Sequence, residues 1–154
     1  MRATYRALGH LIAGMVVIQA AAIAMWAFGM FHWLAEGDGN TVTPQLAKDF
    51  LKGVTGSVGM SIHSIGSVVI ALLAIILLII SFFAKVPSGV KWAGFTFLAV
   101  LFQWVIAIVS FVAPGFGFLH GANALVIAWL GWRVAKQAGV AEESAPASEA
   151  AAAR

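Results

Sequence analysis

The chain contains no cysteine. That excludes a disulfide framework, a thiolate metal site, an iron–sulfur cluster and a cysteine nucleophile. Charge is scarce as well: 10% of the 154 residues are Asp, Glu, Lys or Arg, against about 25% in an ordinary soluble domain. No charged residue occurs in 8–35, 58–84 or 92–113, and 118–135 holds only Arg133. A proton or ion pump normally carries a carboxylate inside the membrane, and these stretches have none. The net charge of +3 does not point to nucleic acid, because the cations sit beside hydrophobic segments, where membrane topology accounts for them.

What is abundant is apolar surface. Hydrophobic residues make up 62% of the chain, and mean hydropathy is +0.97. A water-soluble fold of this size cannot hide so much, so the solvent for most of the chain is lipid. The apolar stretches 8–35, 58–84, 92–113 and 118–135 each approach or exceed the ~20 residues that a bilayer-crossing helix needs. The expected fold is all-α, a transmembrane four-helix bundle over residues 1–137. Arg2 and Arg6 precede the first stretch, Lys85 and Lys91 separate the second and third, and Arg133, Lys136 and Arg154 close the fourth. The positive-inside rule then places both termini in the cytoplasm. The alternative for the amino end is a cleavable signal peptide with Ala22-Ile23-Ala24 as its processing site. The apolar run continuing to Leu34 argues against it. In the outer loop, Thr43 as cap and Pro44 as first residue predict a short amphipathic helix over 44–52. The Ala-, Glu- and Ser-rich segment 138–154 predicts a disordered cytoplasmic tail.

Polar groups within the spans each require an account. Gln19 and Gln103 lie near the middles of the first and third spans, at depths that match for an amide–amide hydrogen bond. Thr96, Gln103 and Ser110 recur every seven residues and share a face that must point inward. Gly56, Gly59, His63 and Gly66 or Ser67 share a face of the second span, beside a stripe of Ser57, Ser61 and Ser64. In the fourth, His120, Asn123, Ala124, Ile127 and Gly131 share a face. Helix–helix hydrogen bonding, typically worth under ~2 kcal/mol per contact, is the expected role of these groups.

The four histidines carry the widest chemical range. His32, His63 and His120 are expected at similar depth on the outer side, with His10 near the cytoplasmic end. His63 and His120 are each flanked by small residues, which suits a flat macrocycle between helices. They form a candidate axial pair for haem b, with Ser64 or Asn123 as acceptors for the ring nitrogens. A metal site of His32, His63 and His120 is a further alternative, and structural hydrogen bonding is the third.

Leu119-His120-Gly121-Ala122-Asn123-Ala124-Leu125 in the fourth span stands with Phe102-Gln103 in the third, Val17-Ile18-Gln19 in the first and His63 in the second. This set resembles a family of small four-helix bacterial membrane proteins of actinobacterial type, over about residues 5–137. The resemblance implies the four-span fold and draws attention to His63, His120, Asn123 and the two glutamines, without implying an activity. More loosely, the arrangement resembles the cytochrome b561 and haem A synthase bundles, from which it departs by lacking an inner histidine pair.

With no nucleophile–base pair and no intramembrane carboxylate, the expected function is that of an accessory or scaffold protein of the bacterial plasma membrane. Its partners would be the bilayer and either other subunits of an envelope or respiratory complex or further copies of itself. The alternatives are a haem b electron-transfer protein using His63 and His120, and a lipid- or small-molecule-binding bundle. The latter would have an outer-leaflet pocket lined by His32, His63, His120, Asn123 and the serines, Ser64 and Ser67 included.

Overall fold

The computed structural model describes residues 1–36, 45 and 55–152, with side chains at 1–32, 35, 45 and 57–140. The fold is all-α, with no strand among the described residues. Helix α1 spans Arg2–Glu36, α2 Thr55–Ser81, α3 Gly89–Val112 and α4 Gly117–Ala152, with a single 3-10 turn, Pro114–Phe116, between α3 and α4. The helices fall where the apolar runs predict them, because a chain in lipid must satisfy every backbone group within its own segment.

Among the described residues, three segments are long and apolar enough to cross a membrane: Arg2–His32, Ser57–Ser81 and Gly89–Val112. The protein is therefore membrane-embedded and contacts lipid. The fourth expected span is helical too, but it falls short of that apolarity because His120, Asn123 and Arg133 lie within it. The expected outer helix over 44–52 lies outside the described residues, Gln45 excepted. Helix α4 runs on to Ala152, into the segment where a tail was expected.

The chain divides into two compact units. The larger comprises Met1–Val16 and Val69–Arg154, the smaller Val17–Val68. The larger is itself a four-helix bundle. Its core takes Tyr5, Leu8, Ile12 and Val16 from α1, Ile70, Ala74 and Leu77 from α2, Ala93 and Val100 from α3, and Ile127, Val134 and Ala138 from α4. Each set recurs at steps of three, four or seven, one face of a 3.6-residue helix. The intervening Leu72, Ile75, Ile76 and Ile79 of α2 are exposed, as lipid-facing side chains should be.

Lipid is as apolar as leucine, so the helices are held by close packing and hydrogen bonds rather than by exclusion of water. In the larger unit, Gly9 of α1 and Gly131 of α4 provide a close approach. A Cβ on Gly9 would lie 2.6 Å from the Gly131 carbonyl oxygen, and one on Gly131 would lie 2.8 Å from that of Gly9. In the smaller unit, Gly59 of α2 does the same against α1, where its Cβ would meet the Ala22 carbonyl oxygen at 2.4 Å.

Candidate functional site: a polar clamp between two helices

Gln103, His120 and Asn123 come together in the larger unit, where the Pro114 turn folds α4 back against α3. The Gln103 amide nitrogen donates to the His120 carbonyl at 2.9 Å. His120 Nδ1 lies 3.3 Å from the Gln103 carbonyl, an acceptor, so Nδ1 carries the proton and donates. The Asn123 amide nitrogen donates to the Gln103 side-chain oxygen at 2.7 Å and to the Ala99 carbonyl at 2.9 Å. Helical carbonyls have a second lone pair, and this clamp uses it at positions 99, 103 and 120. All three side chains are half-buried.

The pairing of Gln103 with Gln19 is corrected by this geometry. Both ends of the Gln103 amide are taken by α4, while the Gln19 amide nitrogen donates to the Ile62 carbonyl of α2 at 3.4 Å within the smaller unit. Each glutamine bonds to the helix its own face meets, Gln19 to α2 and Gln103 to α4. Of the seven-residue stripe on α3, only Gln103 crosses to another helix. Thr96 is fully buried and its hydroxyl donates to its own Trp92 carbonyl at 2.9 Å. Ser110 donates to Ile106 at 2.8 Å.

The serines of α2 turn inward to their own backbone. Ser61 donates to the Ser57 carbonyl at 3.1 Å, and Ser67 to that of Ser64 at 2.7 Å. Such back-bonding satisfies a hydroxyl in lipid without a partner helix. Ser64 itself is exposed, His32 is exposed on α1, and His63 is half-buried on α2. His32 and His63 belong to the smaller unit, His120 and Asn123 to the larger. Among the described residues, no group of three or more His, Asp or Glu side chains stands together as metal ligands. A hollow of about 280 Å³ opens at the α3–α4 turn, lined by Ala113, Pro114, Gly115, Phe116, Phe118 and Leu119. Its lining is apolar and includes neither His120 nor Asn123.

At the opposite end of the larger unit, Tyr5 is fully buried and its hydroxyl donates to the Gly89 carbonyl at 2.8 Å. This contact escaped the sequence reading. The available signal was a lone tyrosine at the head of the Leu8, Ile12, Val16 stripe, where its body continues an apolar face and its hydroxyl requires an acceptor. Nearby, Gln137 of α4 donates to the Pro87 carbonyl. Trp92 meets Trp129 edge to face at 5.9 Å and carries the Arg133 guanidinium over its ring at 4.8 Å. Trp104 and Trp129 are both exposed.

No family model matches the chain, and neither a curated protein nor a solved structure does. The reading of the site rests on its own geometry.

Proposed function

We propose that the protein is a non-catalytic scaffold or accessory component of a bacterial plasma membrane, with both termini on the cytoplasmic side. The observation that carries this reading is how the interior polar groups are used. Gln103, His120 and Asn123 join α3 to α4. The hydroxyls of Ser61, Ser67, Ser81, Thr96 and Ser110 all donate to carbonyls of their own helices. A nucleophilic hydroxyl needs a base to take its proton, and each of these protons is committed to the backbone. The clamp likewise fixes His120 as a strut.

The cytoplasmic placement of the ends follows from α4 crossing the bilayer as the fourth span. The clamp lowers the cost of that crossing, because it engages His120 and Asn123, two of the polar groups that keep α4 less apolar than the other three. Cations flanking the spans then set the orientation.

Two measurements test the proposal. Cysteine labelling at positions 3 and 140 from one side of sealed vesicles should give the same accessibility for both; opposite accessibilities remove the topology. Blue-native electrophoresis of membranes solubilised in mild detergent should place the chain in an assembly larger than itself. A monomer that carries a turnover activity abolished by His120→Ala, with the unfolding midpoint retained, replaces the scaffold reading with an enzymatic one.

A further inference from the structure

We propose that the end of the larger unit formed by the 82–88 turn, the start of α3 and residues 133–139 of α4 is a surface that selects anionic phospholipid headgroups. Three contacts assemble it from separate parts of the chain. Tyr5 donates to Gly89, Gln137 donates to Pro87, and Arg6 lies 3.7 Å from where a Cβ on Gly139 would stand. Together they bring the cations of four segments to one end. Lys85, Lys91 and Lys136 are exposed there, and Arg133 is half-buried. Arg2 and Arg6 join them at the head of α1, each held by contacts of its own. The segments 82–91 and 133–139, which carry Lys85, Lys91, Arg133 and Lys136, contain no Asp or Glu.

Three of the cations are also braced on aromatic rings. Arg133 sits 4.8 Å from the Trp92 ring centroid, Lys136 4.9 Å from that of Trp132, and Lys91 5.8 Å from that of Phe95. Tryptophan rings settle at the headgroup level of a bilayer. Side chains braced on Trp92 and Trp132 therefore present their charge where lipid phosphates lie. Lys85 adds a further observation. Its φ is 51°, a left-handed backbone that glycine adopts without cost and a Cβ-bearing residue does not. A cation nonetheless occupies that position. Positive-inside topology accounts for cations at this end in general; it does not account for their bracing on aromatic rings. The proposal does not depend on the scaffold reading.

The test uses the full chain reconstituted in phosphatidylcholine vesicles containing trace spin-labelled phosphatidylglycerol or phosphatidylcholine, with the association of each label compared by electron paramagnetic resonance. A cation near an anionic headgroup is worth about fivefold in association. The wild type should prefer phosphatidylglycerol severalfold at low salt. Lys91→Gln with Arg133→Gln should lower that preference severalfold, while Lys91→Arg with Arg133→Lys retains it. Lys48→Gln with Lys52→Gln, the same loss of charge in the outer loop, should leave it unchanged. Absence of preference in the wild type overturns the proposal. So does equal loss in the two glutamine pairs, or loss in the charge-retaining pair. Abolition by inorganic phosphate at matched ionic strength would assign the surface to a free anion and equally overturn it.

Discussion

Gly9 and Gly131 interlock, each occupying space that a methyl group on the other would need. The obstructing atoms are backbone, so neither helix can yield by rotating a side chain. Overpacking of this kind typically costs about 1–3 kcal/mol. Gly131→Ala and Gly9→Ala should each lower the thermal unfolding midpoint of the detergent-solubilised protein. Gly14→Ala is the contrast, since nothing lies within 4 Å of a Cβ there, and its midpoint should be unchanged or higher.

The bond from Tyr5 to Gly89 ties the first turn of α1 to the start of α3. Tyr5→Phe keeps the buried ring and removes only the hydrogen bond, at an expected cost of about 0.5–1.5 kcal/mol. Amide exchange should accelerate over residues 2–8 relative to the rest of α1. Unchanged exchange in that turn would show that the apolar contacts alone hold it.

The clamp predicts strong coupling between Gln103 and Asn123. Asn123→Leu leaves the Gln103 oxygen without its α4 donor, and Gln103→Leu leaves the Asn123 amide with only the Ala99 carbonyl. Each single change should cost up to about 2 kcal/mol. The double change should cost less than the sum, with a coupling of about 0.5–2 kcal/mol in a double-mutant cycle, because replacing both partners by apolar groups leaves no orphan. Additive costs would mean that the bond contributes nothing to holding α3 on α4.

The haem alternative separates cleanly from the scaffold reading by absorption. His120 donates through Nδ1 to a backbone carbonyl, which is also how a ligating imidazole is oriented, so the ring geometry alone is compatible with either. The scaffold reading expects no Soret band in protein purified from haem-replete cells. A band that is lost in both His63→Ala and His120→Ala, with the fold intact, would establish the alternative.

Some of this was legible from residue order alone. The helical segments and their apolar character follow from runs of uncharged residues, because lipid allows no unsatisfied backbone. Gln103, His120 and Asn123 were visible as polar groups that must point inward, since each is costly against acyl chains. Their mutual bonding was not visible: a seven-residue repeat identifies a face but not which helix that face meets. The serine stripe of α2 was overread for the same reason, because a hydroxyl has an acceptor on its own helix as well as on a neighbour.

Residue order by itself thus determined that the protein is helical, lipid-solvated and flanked by cations, because these properties depend only on local composition and the bilayer's thickness. Tertiary structure alone decided which polar atoms pair, which glycines cross and which cations gather at one end. Those outcomes depend on distances between segments remote in sequence, and such distances are set by how the helices pack.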